Sequence, residues 1–299
     1  MKRLLEDGGG LRTMRAPIIK VPIQLLVSVV ALACTSADPT PRPTSPVAAQ
    51  MFDAPGFSWR VVELPSHGLR LYIQRGTDAD ANTRALTDSV LRAQAHVLAL
   101  LGESLVAPQS SPHEPSGPVT AALFILGSRA DMERLAGRPL AGFVQQDEAT
   151  AFFVWTSGYR APLRHELAHL YTFQRWGQPP ADAAATWLVE GIGAWAGGPC
   201  VGESPDALAA GLLTSGRLPS VEELSARFRE LDEDVAMPSA GSLIGFIHAQ
   251  EGIAGLRARW GSGLGELLPD SGLSVAWRTY LAGVRPGTLN IARVLQEGC

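Results

Sequence analysis

The stretch RHELAHLYTF, residues 164–173, places two histidines four positions apart, with a glutamate directly after the first. Residues four apart in a helix lie about 40° apart around its axis, so His165 and His169 project from one face and can share a metal ion. Glu166 lies about 100° further round, where it cannot easily be a ligand but can reach a metal-activated water. The stretch is therefore typical of H-E-x-x-H zinc hydrolases, in which this glutamate acts as the base.

A third ligand is offered by the next predicted helix, TWLVEGIGAWAGG, residues 186–198. Glu190 lies there among Trp187, Leu188, Val189 and Ile192. A carboxylate in an apolar setting is costly unless it is paired or bound to a metal. We therefore predict that His165, His169 and Glu190 bind one Zn²⁺ per chain and leave a fourth position open, as in catalytic zinc sites.

A surface helix with solvated histidines is the alternative interpretation of residues 164–173. Two features count against it. Leu167, Leu170 and Phe173 make much of the remaining helix surface apolar, and a predicted strand, ATAFFVWTSG at 149–158, comes just before.

HELAHLYTF together with WLVEGIGAW resembles the gluzincin class of metallopeptidases. The likeness is strongest to the peptidase-MA-like exported bacterial proteins, which carry HELAH and then WLxEGxAxW/Y. Residues 239–252, SAGSLIGFIHAQEG, and 275–283, VAWRTYLAG, resemble later helices of that group. The resemblance implies a gluzincin (thermolysin-like) fold, zinc, and peptide or protein substrates. It also implies that the strand before the zinc helix forms the cleft edge on which substrates pair.

Two positions depart from the gluzincin pattern. The acid that commonly follows the glutamate ligand by one turn is Ala194 here, which leaves Asp182 as the nearest acidic candidate to orient a histidine. The tyrosine that often precedes the helix at 239 is replaced by Met237 and Pro238. The transition-state stabiliser therefore has several candidates, namely Tyr280, His248, Arg160 and Tyr159.

The N-terminal segment has the order of an export signal. Five basic residues precede the apolar run VPIQLLVSVVALA at 21–33, which is shorter than the roughly 20 residues of a membrane span. We predict a signal peptide over residues 1–33. LLVSVVALAC, 25–34, resembles the lipobox of bacterial lipoproteins, which implies that Cys34 is lipidated and anchors the protein to a membrane. Plain cleavage after residue 33 is the alternative, and either outcome places the protein outside the cytoplasm.

Charge and cysteine content fit an exported protein. Removal of residues 1–33 leaves 20 basic and 27 acidic residues, a formal charge of −7, and no lysine. Such a chain has no basic stripe for nucleic acid, so we expect none as a partner. Cys200 and Cys299 remain besides Cys34, and in an oxidising compartment we predict that they form a disulfide; two free thiols are the alternative.

Strand-like segments cluster in the first half of the chain and helical ones in the second, which predicts an α+β fold with a small mixed sheet. Residues 34–56, rich in Pro, Thr, Ser and Ala, predict a disordered tether. A single domain is expected over 57–299, mostly β at 57–160 and mostly α at 161–299. Strands are predicted near 57–64, 68–76, 118–127 and 149–158. Helices are predicted at 82–101, 128–137, 161–176, 184–197, 205–214, 220–231, 239–251, 252–260 and 273–283.

The same pattern also permits a protein that binds rather than cuts. A gluzincin-like interaction module, anchored as a lipoprotein, would explain the missing tyrosine and the missing acid. Glu166 argues for the peptidase, because a scaffold that only binds metal has no need of a base at that position.

Overall fold

A five-stranded mixed sheet is built from β1 (Trp59–Leu64), β2 (Leu69–Gln74), β3 (Ala121–Leu126), β4 (Gly142–Gln145) and β5 (Thr150–Val154), in the order β1-β2-β3-β5-β4. The strands β2, β3 and β5 run parallel, whereas β1 and β4 pair antiparallel with β2 and β5. The computed structural model describes residues 42–43, 45–103, 121–145, 149–159, 161–178, 185–262, 271–290 and 293, which belong to one unit of the chain, Thr40–Cys299.

Helices surround the sheet and fill the second half of the described chain. The first four are α1 (Pro46–Phe52), α2 (Asp78–Ala81), α3 (Thr83–Leu100) and α4 (Arg129–Ala136). The later ones are α5 (Leu163–Trp176), α6 (Thr186–Gly197), α7 (Pro205–Thr214), α8 (Val221–Arg227), α9 (Glu233–Ser262) and α10 (Ser271–Ala282). A break divides α9 at Gly252, where φ is 68°. The predicted α+β class is confirmed. A helix lies at each predicted position and in the predicted order, but the one predicted to begin at 239 begins at Glu233, and α1 and α2 are not among the predicted helices.

Strand alternation gives the sheet two different apolar faces. One face, with Leu71, Leu123 and Phe153, packs against α3 and α5 in the main core. The other face carries stacked rings of Tyr72, Phe124, Phe152 and Phe143, one from each of four neighbouring strands. The helices α1 and α4 cover this second face. The sheet is thus buried on both sides, and α5 lies on the face away from the aromatic rings.

The prediction of a tether through residue 56 is wrong at its C-terminal end. Residues Pro46–Phe52 form α1, which Ser45 caps by accepting a hydrogen bond from the Ala48 amide. Ala48 is fully buried, and Phe52 packs edge-on against Tyr72. The helix forms because the aromatic face of the sheet covers its apolar side, a long-range contact that the local Pro/Ala-rich composition does not indicate.

The expectation that the strand before α5 forms the edge of the substrate cleft is also wrong. The strand that directly precedes α5 in the chain, β5, is interior and fully buried. The edge is β4, a four-residue strand that the sequence did not predict, and its residues are partly exposed.

The close packing of α6 on α9 positions the second half of the chain. A Cβ added to Gly191 would lie 2.8 Å from Ile244 Cγ1 and 3.0 Å from the Ala240 carbonyl oxygen. One added to Gly241 would lie 2.9 Å from Ala194 Cβ. Glycine and alanine therefore let the two helix backbones approach closely, and α6 is held between α5 and α9.

Several predictions concern residues outside the described part of the chain. They include the signal peptide at 1–33, the lipidated Cys34 and the predicted disulfide partner Cys299. Among the described helices, none has both the length and the apolar character needed to cross a bilayer.

Candidate metal centre

The side chains of His165, His169 and Glu190 converge on one point between α5 and α6. The Nε2 atoms of the two histidines are 2.9 Å apart. The Oε2 atom of Glu190 lies 3.3 Å from His165 Nε2 and 3.6 Å from His169 Nε2. The three predicted ligands are thus brought together, each offering one atom to the same small space.

The size of this triangle fits a zinc ion. Tetrahedral zinc with ligand bonds of about 2.0–2.2 Å keeps its ligand atoms about 3.3–3.6 Å apart. The circle through the three atoms has a radius of about 1.9 Å, so a point at bonding distance from all three exists just outside their plane. Two imidazole nitrogens and one carboxylate oxygen are also a ligand set that zinc accepts, with a fourth position left for a water or substrate.

The helices α5 and α6 pack closely enough to fix the histidine rings. A Cβ added to Gly193 would fall 2.7–2.8 Å from three ring atoms of His165, so the α6 backbone lies directly against this imidazole. The ring of His169 packs edge-on against that of His165 and stacks on Phe173. The side chain of His169 is only 8% exposed, which excludes the solvated-histidine interpretation of this helix.

The three side chains interact electrostatically. Burial opposes ionisation of Glu190, but hydrogen bonds and charges from His165 and His169 outweigh it and hold the pKa of Glu190 well below its usual range. Burial lowers the pKa of His165, but the hydrogen bond to Glu190 and the charges of Glu166, Glu190 and Glu233 prevail and raise that pKa. The raised pKa of His165 and the lowered pKa of Glu190 thus have the same cause, the mutual attraction of an imidazolium and a carboxylate at this point.

Glu233 is a contributor that sequence analysis missed. It stands at the start of α9, before the position 239 at which the sequence predicts that helix to begin, and its charge acts on His165. No local pattern distinguishes Glu233 from the neighbouring acids, since its proximity to His165 depends on how α9 packs against α6.

Glu166, the predicted base, is buried at the same site, with 7% of its surface exposed. Burial raises the pKa of Glu166, while the charges of His165 and His169 partly oppose the rise. Its side chain lies beneath the edge strand, against Gly142. Glu166 is therefore next to the ligands without being placed as one of them.

The position one turn after Glu190, where gluzincins commonly carry an acid, points toward α9 in this fold. Ala194, which stands at that position, faces α9 and packs against Gly241 rather than toward the histidines. The Nδ1 atom of His169 is buried without a hydrogen-bond partner among the described residues. Asp182, the other acidic candidate, lies outside the described residues.

The candidate stabilisers of the transition state make other contacts. The Tyr280 hydroxyl donates to Asp206 Oδ2 at 2.6 Å, and this bond, with burial, raises the pKa of Tyr280 to about 12. The ring of His248 packs against Trp195, on the α9 side of α6. Tyr159 accepts a hydrogen bond from Arg129. Arg160 lies outside the described residues. The described contacts thus bring none of these side chains to the three clustered residues.

Two other features bear on the site predictions. Cys200 is disulfide-bonded, while Cys34 and Cys299 both lie outside the described residues.

A cavity of about 400 Å³ opens between Ser89 of α3, the residues 155–159 and Leu163. None of the three clustered side chains lines it, so the cavity gives no evidence on their chemistry.

No protein-family model matches the chain, and no curated protein matches it significantly. The geometry of the cluster and the motifs in α5 and α6 are therefore the features that indicate a function.

Proposed function

We propose that the protein is a zinc-dependent metallopeptidase that hydrolyses peptide bonds. The observation that carries the proposal is the triangle of His165 Nε2, His169 Nε2 and Glu190 Oε2, with sides of 2.9, 3.3 and 3.6 Å. Its dimensions and donor atoms suit zinc, and a buried carboxylate that is not a ligand stands beside it.

Each residue has one role in this mechanism. His165, His169 and Glu190 would hold the ion, which would supply a water of pKa near about 7 and a Lewis acid for the substrate carbonyl. Glu166 accepts the proton of the attacking water and later delivers it to the leaving nitrogen. Burial raises the pKa of Glu166, which brings the carboxyl closer to the range in which it can both accept and return a proton.

The proposal extends to a gluzincin-like fold and to the way substrate binds. An edge strand, β4, passes directly over Glu166, and its outer side has no partner strand in the described sheet. An extended peptide that pairs with β4 would pass over the metal centre, and main-chain hydrogen bonds would hold it there.

Export and membrane anchoring belong to the same proposal. They rest on the signal-like residues 1–33 and on the lipobox-like stretch that ends at Cys34. A lipid-anchored zinc peptidase would meet peptide or protein substrates outside the cytoplasm.

A module that binds metal without hydrolysis is the second candidate. It is favoured by one observation: the described contacts of Tyr280, His248 and Tyr159 are all made away from the metal centre. Without a group to stabilise the developing oxyanion, hydrolysis loses one of its larger contributions.

Two substitutions separate these functions. Glu166→Gln should keep one zinc per chain but lose at least about 10²-fold in hydrolysis of a mixed peptide library, because an amide cannot accept the proton. His169→Ala should lose the zinc, because two remaining ligands hold it weakly. Elemental analysis and peptide cleavage are measured on the same preparations.

Activity retained by Glu166→Gln would contradict the peptidase mechanism. A parent protein that binds one zinc but cuts no member of the library would establish the binding module instead.

A further inference from the structure

Gly142, the first residue of β4, is unusual for a strand. Glycine in a strand loses conformational entropy on folding and offers no side chain to pack. Its φ is not in the left-handed region, so the backbone conformation does not require glycine at this position. A close approach by another group is the remaining physical reason for a missing side chain.

The approaching group is Glu166. Phe143 stacks on Phe152 in the aromatic face of the sheet, so strand alternation turns Gly142 and Val144 toward the opposite face, where α5 packs. A Cβ added to Gly142 would lie 2.8 Å from Glu166 Cγ and 3.0 Å from Glu166 Oε1. Both separations are shorter than normal contacts of a Cβ atom, so the side chain of Glu166 fills the space of the missing Cβ.

We infer that Gly142 is a positioning residue, whose missing side chain forms the slot that holds the Glu166 carboxylate beside the metal centre. The inference rests on the proposed function of Glu166 as base. The edge strand would then do two things at once: its backbone offers a pairing edge to the substrate, and its glycine fixes the base beneath that substrate.

Gly142→Ala should displace the base without removing the metal ligands. The Cγ and Oε1 atoms of Glu166 belong to a flexible side chain, so the carboxylate can move aside while the strand stays in place. A misplacement of about 1 Å in a reacting group can cost about 10²-fold in rate. We expect a fall in kcat of about 10- to 100-fold with KM little changed, and unchanged affinity for Zn²⁺ alone in competition with a chelator.

A second measurement needs neither zinc nor activity. In the metal-free protein, Gly142→Ala should lower Tm in the presence of Glu166, because the new methyl group collides with its side chain. In the Glu166→Ala background the colliding atoms are gone, so the same substitution should leave Tm unchanged or raise it. The Phe152 carbonyl oxygen, 3.1 Å from the added Cβ, is present in both backgrounds and cancels in the comparison.

Gly158→Ala is the matched control, because its added Cβ meets no atom within 4 Å and its φ is not left-handed. It should keep the parent's kcat and Tm. The inference is overturned if Gly142→Ala lowers Tm equally in both backgrounds, or if zinc-loaded Gly142→Ala keeps the parent's kcat. Failure of the proposed function would instead appear in the parent itself, as absent zinc binding or absent hydrolysis, and the Tm comparison would still decide whether Gly142 makes room for Glu166.

Discussion

At the scale of single residues, His165 and Glu190 form an ion pair that the proposed metal ion would replace. The half-buried imidazole lies 3.3 Å from a carboxylate, and that carboxylate favours its protonated form. Zinc needs the same imidazole in its neutral form. Protons and zinc therefore compete for one site, and the raised pKa of His165 extends the competition to higher pH.

This competition predicts two opposite pH trends. Zinc affinity should rise with pH through a transition above about 6.5, the ordinary pKa of histidine, because His165 must lose its proton before it binds the ion. In the metal-free protein, the interaction of protonated His165 with Glu190 contributes stability that is fully present below pH 6.5. That stability is lost as the pH rises through the raised pKa of His165. Glu190 remains ionised throughout, since its pKa lies far below this window.

Chelator competition and urea unfolding between pH 6 and 8 measure the two trends. A zinc affinity that stays constant across this range, after correction for protonation of the chelator, would show that His165 does not hold a competing proton.

At the scale of elements, the candidate metal centre depends on the close packing of α6 between α5 and α9. The ligand Glu190 and the contact residue Gly193 face α5, whereas Gly191 and Ala194 face α9. The small residues on the α9 side bring α6 close to that helix, and position 194 is turned toward α9. The packing that places Glu190 beside the histidines therefore directs position 194 away from them.

Gly241→Ala tests this packing. The added Cβ would lie 2.9 Å from Ala194 Cβ, so α6 and α9 must move apart, at a cost of about 1–3 kcal/mol. Alanine favours a helix by about 1 kcal/mol relative to glycine, which would raise the free energy of unfolding. A net fall in that free energy can therefore come only from the packing cost. Gly197→Ala in α6 is the control, because its Cβ meets nothing closer than 3.9 Å. A Gly241→Ala protein more stable than the parent in urea unfolding would contradict the account.

Local patterns account for some elements and not for others. The helix α7 begins and ends where the sequence predicts, because Ser204 caps it, Pro205 occupies its first turn and Gly216 follows it with positive φ. The strand β4 has four residues and starts with glycine, so no period of two marks it. The helix α1 is stabilised by the aromatic face of the sheet, which is distant in sequence.

The residues of the candidate site also fall into those that local patterns predict and those that they do not. Helical spacing brings His165 and His169 together, and the apolar setting of Glu190 indicates that it needs a partner. Gly142 comes close to Glu166, and Glu233 to His165, only because β4 and α9 pack near α5 and α6. The sequence alone therefore does not reveal these two residues.

At the scale of the whole molecule, the cluster lies where the sheet and the helical half meet. Two ligands come from α5, which packs on the sheet, and the third comes from α6, which packs on α9. A bound ion would link the two halves, and its affinity would add to the stability of the fold. Under the proposed function, the overlying edge of β4 would bring an extended substrate to this junction.

The most direct test of this account is an anomalous difference map, recorded at the zinc absorption edge from crystals of the zinc-loaded protein. The account predicts one peak at about 2.0–2.2 Å from His165 Nε2, His169 Nε2 and a Glu190 carboxylate oxygen. Zinc bound only elsewhere, or a Glu190 side chain turned away from both histidines in the loaded crystal, would contradict the central claim.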